Sequence, residues 1–407
     1  MAGRKIATPF LAAGRWSRVR SASRSTLEAT APGRLGGRSP AARPPARIPS
    51  ARLRAAREAL HTGEVPCRLS YRRYRLQFLR TARTAHGPWE AREGLLLRLE
   101  DEAGRVGYGE VAPLPSFGTE TLAEAEGALA RLGGTVDPAR LDGIEERLGC
   151  VRFALAAARP GSARGSGPGP RVAVAALLPA GREALAAADR AAAAGWVTFK
   201  WKVGVGGDAD EQAILDDLLA RLPRGARLRL DANGAWTTRR AGRWLARCAD
   251  RPIEFVEQPC FAGVSAGEAE RRRVDDALRG LAHDYPTAIA LDESVTGPAS
   301  LRSWLEGGWR GVCVVKPALA GAGEDLRALL AGFRADTVFS SALETAVGRQ
   351  AALRTALQLA GGTPRALGFG VTPLFGDARF DGPPVGPFLS PADVETMNPE
   401  AAWNALS

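Results

Sequence analysis

The 407-residue sequence is poor in the side chains that usually build soft-metal and redox sites. It has 3 His, 5 Cys and 2 Met. His61, His86 and His283 are scattered, which leaves a histidine-based zinc site without support. Cys67, Cys150, Cys248, Cys260 and Cys313 are odd in number and lack paired spacing, so they read as reduced packing residues of a chain that is not secreted. No apolar run is long enough to span a membrane. Charge of one sign is also missing once it is localised. The formal net charge is +11. Residues 1–66 hold 13 Lys and Arg against 3 Asp and Glu, and the remainder holds 42 against 41. A nearly neutral body gives no basic face for nucleic acid. The basic segment, rich in Ala, Arg and Ser and without an apolar core, has the composition of an organellar transit peptide and is expected to be disordered.

What is present begins near Arg68. Tyr74-Arg75-Leu76-Gln77-Phe78-Leu79 alternates as a half-buried strand does. Residues 84–93 read as a polar Gly/Pro loop, and 94–99 pairs with 106–111 as a hairpin. Helical patterns follow at 121–132 and 141–158. This α+β unit, 67–160, ends at a Gly/Pro/Ser linker. From 171 to 383 strand and helix patterns alternate, which predicts a parallel sheet. In the helix after the second strand, Asp208 and Glu211 have the spacing of a capping box. The tail, 384–407, is expected to fold back onto the N-terminal unit.

Five short apolar runs end in charge: at Lys200-Trp201-Lys202, Asp231-Ala232-Asn233, Glu257-Gln258-Pro259, Asp292-Glu293 and Lys316-Pro317. Buried parallel strands are apolar throughout. Charge confined to their C-terminal ends is the pattern of a (β/α)8-type barrel, whose active site lies there. Asp231, Glu257 and Asp292, from consecutive strand ends, form an all-oxygen set suited to Mg²⁺, with Mn²⁺ a possible substitute. Lys200 and Lys202, two apart, share one strand face. Lys316 faces them from the sixth strand. Burial and like-charge repulsion beside a divalent cation are expected to lower the lysine pKa values, and a neutral lysine can act as a base. A base beside a metal-bound carboxylate suits abstraction of a proton α to that carboxylate.

These motifs resemble those of the enolase superfamily, muconate-lactonising-enzyme subgroup. Within it they are most similar to the o-succinylbenzoate synthase family of the cyanobacterial and plastid type. Thr84-Ala85-His86-Gly87-Pro88-Trp89-Glu90 and Ser340-Ser341-Ala342-Leu343-Glu344 support that choice. The resemblance implies a modified barrel with an α+β capping domain, and Mg²⁺ on Asp231, Glu257 and Asp292. It implies Lys202 as base and Lys316 as stabiliser of the intermediate through a cation–π contact. Lys200, Asn233, Ser340 and Ser341 would contact a small-molecule carboxylate substrate, and the 84–93 loop would close over it. The implied reaction is loss of water in quinone biosynthesis, with a plastid as the destination and a mitochondrion as the alternative. Gly368-Phe369-Gly370-Val371-Thr372-Pro373 lacks the Asp-x-Asp of dipeptide epimerases. N-succinylamino acid racemisation, a non-catalytic barrel, and monomer or homo-oligomer all stay open at this stage.

Overall fold

The computed structural model describes residues 66–84, 87–162, 169–359, 365–371 and 373–406. Of the segment read above as a transit peptide, all but Pro66 lies outside them, as do His86 and the centre of the linker.

The first strands form a four-stranded antiparallel sheet. They are β1 (Cys67–Thr84), β2 (Gly87–Asp101), β3 (Val106–Val111) and β4 (Thr135–Val136), in the order β3-β2-β1-β4. Helices Leu122–Leu132 and Gly149–Ala158 cover one face. The second helix lies so close that a Cβ on Gly109 would come within 2.1 Å of the Ala154 carbonyl oxygen, so only glycine fits there. The segment 84–93, expected to be a loop, is instead largely the tip of a β1–β2 ribbon. Ala82 pairs with Trp89 and Thr84 with Gly87, after a register shift between Gln77 and Ala82. The ribbon is held from outside the sheet, where Phe78 meets Trp89 edge-on at 5.3 Å and stacks on Phe375 at 5.6 Å.

Eight parallel strands follow: β5 (Val172–Leu178), β6 (Thr198–Lys202), β7 (Arg227–Asp231), β8 (Ile253–Glu257), β9 (Ile289–Leu291), β10 (Val312–Val315), β11 (Thr337–Phe339) and β12 (Leu367–Gly370). They pair in sequence, and β12 pairs with β5. A bridge between Ser340 and Gly368 joins β11 to β12 and closes the ring. Alternation sorts the side chains of each strand. Along β10, Val312 and Val314 join Phe255, Ala290 and Val338 inside the ring, while Cys313 and Val315 face the helices. Fully burying such a side chain is worth about 1.5–3 kcal/mol. At the lower end of the ring a bulge sets Glu254 opposite no residue of β7, and its carboxylate takes the buried Arg229 guanidinium at 2.7 Å.

Among the described residues seven α-helices connect the eight strands. Among the described residues only short helices, at Ala378–Asp381, Pro391–Glu395 and Pro399–Asn404, follow β12, which is how the barrel departs from a full (β/α)8 repeat. The chain turns through a short helix, Ala378–Asp381, and adds β13 (Phe388–Leu389) antiparallel to β5. It then packs Trp403 against Tyr74, Leu96 and Tyr108 of the antiparallel sheet.

Candidate active site

Parallel register brings the charged strand ends to one level, because Lys202 pairs with Asp231 and Asp231 with Glu257. The barrel places β6 and β10 four strands apart, so Lys202 and Lys316 face each other across the mouth. A cavity of about 750 Å³ lies between them. Its walls include Lys200, Lys202, Asp231, Asn233, Asp292, Glu293, Lys316, Ser340 and Ser341. The ribbon tip, with Trp89 and Glu90, and Phe117 of the 3-10 turn after β3 form its roof. Glu257 is the one sequence-predicted site residue not on the wall. It lies beneath Lys200, whose Nζ donates to Glu257 Oε1 at 2.6 Å and pairs with Asp231 Oδ2 at 2.9 Å.

That pairing sets the charge state of Lys200 among the carboxylates. Burial does work to lower the Lys200 pKa, but the charges of Asp231, Glu257 and Asp292 outweigh it and hold the ammonium above its ordinary value. Lys200 is therefore a fixed cation, unsuited to act as a base. The Lys202 Nζ has a different environment and donates to Asn233 Oδ1 at 3.1 Å. Asn233 donates through Nδ2 to Glu293 Oε1 at 3.1 Å, with its backbone at φ 44°. Lys316 is ion-paired with Asp292 and sits 5.2 Å from the centre of the Phe117 ring. The two serines are already engaged. Ser340 donates to the Gly368 carbonyl at 3.2 Å, and Ser341 to Glu344 at 3.0 Å.

The carboxylates are crowded. Burial, then the charge of Asp231, pushes Glu257 up to about 7. Burial, then Asp292 and Asp231, pushes Glu293 up to about 8. Asp231 moves the other way: burial would raise it, but Lys200 and Lys202 hold it below the usual range. Glu293 Oε2 is buried without a hydrogen-bond partner. Among the described residues no three His, Cys, Asp or Glu are gathered as a closed metal cage. The lysine ammonium groups stand among the carboxylates and account for that spacing. Buried carboxylates at close quarters and the orphaned Glu293 oxygen call for more positive charge than Lys200 and Lys316 supply. An all-oxygen donor set at that place fits a hard divalent ion.

Residues named in the strand-end motifs without a role turn out to shape the site. Gln258, at φ 35°, accepts the backbone N–H of Asp292 at 2.9 Å and of Ser294 at 3.2 Å. A polar residue directly after a strand-end acid was the available signal. Phe117 gave none, because it comes from the short 3-10 turn Pro115–Phe117 after β3, far from the strand-end motifs in sequence.

A barrel closed over opposed lysines and clustered acids defines a class, the enolase-type barrel enzymes. Residues 183–383 match the family described as "Enolase C-terminal domain-like", and residues 71–160 match "MenC, N-terminal domain". The o-succinylbenzoate synthase of Thermosynechococcus vestitus is 43% identical over 71% of this chain and 87% of its own length. That of Edwardsiella ictaluri is 33% identical over 68% and 82%. The crystal structure of o-succinylbenzoate synthase from Thermosynechococcus elongatus, complexed with Mg in its active site, superposes with TM-score 0.68 at 40% identity, covering 79% of this chain and 96% of that one. The L-Ala-D/L-Glu epimerase of Bacillus subtilis, at 21% identity and TM-score 0.67 over 80% and 96%, shares the fold. The chain belongs to the o-succinylbenzoate synthase family of the enolase superfamily.

Proposed function

We propose that this chain is an o-succinylbenzoate synthase, a hydro-lyase that converts 2-succinyl-6-hydroxy-2,4-cyclohexadiene-1-carboxylate to 2-succinylbenzoate and water. The observation that carries the proposal is Lys202 and Lys316 facing each other across a roofed cavity with Asp231, Glu257 and Asp292 between them. Asp231, Glu257 and Asp292 would hold Mg²⁺, which when bound would supply positive charge to the substrate's ring carboxylate.

Lys202 takes the proton from the ring carbon that bears the carboxylate. The C–H electron pair becomes a ring double bond as the neighbouring C–O bond breaks. Lys202 then returns the proton to the departing hydroxyl, so water leaves and the ring is aromatic. Lys316 faces the opposite side of the ring, where its ammonium offsets negative charge as it develops. Lys200, bridging Asp231 and Glu257, keeps Asp231 ionised and offsets part of the rise that burial imposes on Glu257. Asn233 orients the Lys202 amine. Ser340 and Ser341 border the space for the succinyl arm, and the ribbon tip excludes water above it.

The product supports a place in phylloquinone or menaquinone biosynthesis. The composition of residues 1–66 supports import into a plastid, with a mitochondrion as the second destination. Fusing those residues to a fluorescent protein tests the address: diffuse fluorescence outside both organelles would reject it.

The activity is tested by following loss of the cyclohexadiene absorbance with Mg²⁺, with EDTA, and in Lys202→Ala. Turnover should require Mg²⁺ and fall by about 10²–10⁴-fold in the variant, the usual worth of a positioned base. Faster epimerisation of N-succinylamino acids than aromatisation would reject the synthase assignment in favour of a racemase.

A further inference from the structure

We infer that Glu211 is a positioning residue for Lys202, the buried anion that fixes the loop in which the base-bearing strand ends. The inference rests on the assignment of Lys202 as base.

Glu211 was read from sequence as half of a capping box with Asp208, and it is not. The helix Asp208–Arg221 is preceded by Gly207, whose position makes no side-chain cap. The Glu211 carboxylate instead reaches past the helix start and accepts three consecutive backbone N–H groups. Gly204 donates to Oε2, and Val205 and Gly206 donate to Oε1, each at 2.9 Å. Consecutive amides that converge on one point form an anion-binding nest. Here the chain fills its own nest, and Glu211 is buried while the loop it holds is largely exposed. Gly204 is two residues beyond Lys202, and the Val203 N–H between them bonds the Asp231 carbonyl at 2.9 Å.

The grip extends to the neighbouring strand end. Arg240 Nη2 donates to Glu211 Oε2 at 3.2 Å and to the Gly206 carbonyl at 3.3 Å, and its Nε donates to Asp208 at 2.6 Å. Trp244 also donates to Asp208, at 3.1 Å, and stacks on Trp236 at 5.1 Å. Trp236 lies in the loop that carries Asn233. A Cβ placed on Gly204 would stand 3.0 Å from the Trp236 indole nitrogen, so the two loops touch. The Lys202–Asn233 hydrogen bond spans the same two strand ends. Glu211 thus sets the register of the base against the residue that orients it. It touches neither the cavity nor the acid cluster, so its loss acts on the proton-transfer step. A displacement of about 1 Å at a catalytic group can cost about 10²-fold.

The experiment uses the full chain as wild type, Glu211→Ala, Glu211→Gln and Asp210→Ala. Asp210 is an exposed acid of the same helical turn, outside the nest. In Glu211→Ala, kcat should fall about 10–100-fold while KM and the Mg²⁺-dependent rise in Tm hold. Formate, an anion small enough for the vacated nest, should restore kcat at least tenfold, where chloride at equal ionic strength does not. Hydrogen exchange at 204–206 should quicken in the variant and slow again with formate. Asp210→Ala should match wild type. Should Glu211→Ala fail to fold, Glu211→Gln, which keeps one acceptor oxygen, should show an intermediate kcat with KM unchanged. An unaltered kcat, or a loss that follows Tm with a raised KM and no formate rescue, would overturn the inference. Should wild type lack turnover, the proposed function fails on its own. Exchange at 204–206 then decides the nest, and protection unchanged in Glu211→Ala would reject it.

Discussion

Glu110 and Gly348 meet across 238 residues of chain. The carboxylate of a strand in the antiparallel sheet accepts, at 2.9 Å, the N–H of Gly348 in the first turn of the barrel helix Ala346–Leu359. The same carboxylate takes the Thr345 N–H at 3.0 Å, the Thr345 hydroxyl and the Tyr74 hydroxyl at 2.5 Å. A negative charge at a helix N-terminus is favoured by the helix dipole, and burial makes each donor costly to leave unpaired.

Glu110→Ala should therefore destabilise the protein by about 3 kcal/mol or more, since several buried donors lose their acceptor together. Gly348→Ala attacks the same contact from the other side. Its Cβ would come 2.8 Å from Glu110 Oε2 and 3.0 Å from Glu344 Cβ. Both variants should unfold at lower urea than wild type. A Gly348→Ala midpoint at or above the wild-type value would show that the junction can yield.

Gln258 holds the backbone on either side of Asp292 without lining the cavity. Gln258→Leu preserves bulk but removes the acceptor. Mg²⁺ affinity, measured by calorimetry, should weaken by about 10–100-fold, as when the outer partner of a metal ligand is lost. Unchanged affinity would mean that Asp292 is placed by its strand alone.

The lower end of the barrel sets an acid limit on stability. Burial pushes the Glu254 carboxyl up, but the Arg229 charge and hydrogen bond, with Arg365 bonded at 2.6 Å, hold it below the ordinary value. A carboxylate depressed in the folded state contributes stability above its unfolded pKa and loses it as pH falls through the folded one. Wild type should thus lose more stability than Glu254→Gln as pH drops from about 5 to 3, taking an unfolded pKa of about 4.3. At pH 7 the substitution itself should cost about 3–5 kcal/mol by stranding Arg229. Parallel acid profiles for the two proteins would exclude Glu254 as the titrating group.

The barrel was legible because its apolar runs end in charge, a pattern that burial disfavours elsewhere along a parallel strand unless the charge is paired, as Arg229 is with Glu254. The acids and lysines were legible as one place for the same reason. What escaped depended on partners remote in sequence. Gly87 and Pro88 read as a loop, yet Phe375 from beyond the eighth strand stacks on Phe78 and holds that stretch as a ribbon. The direction of the Lys200 shift depends on two carboxylates within 3 Å, and sequence spacing does not carry distance. Glu211 was placed in a capping box because spacing alone cannot tell a helix's own first turn from the loop before it.

The tail that returns after β12 gives the chain a temporal order. Arg72, near the first described residues, donates to the Trp403 carbonyl 331 residues later and rests over its indole at 4.3 Å. Synthesis delivers Trp403 331 residues after Arg72. The sheet that roofs the cavity therefore waits, one flank bare, until Trp403 leaves the ribosome. Closing so long a loop is slow, and the apolar flank of Tyr74 and Leu96 stays open to chaperones for that whole interval.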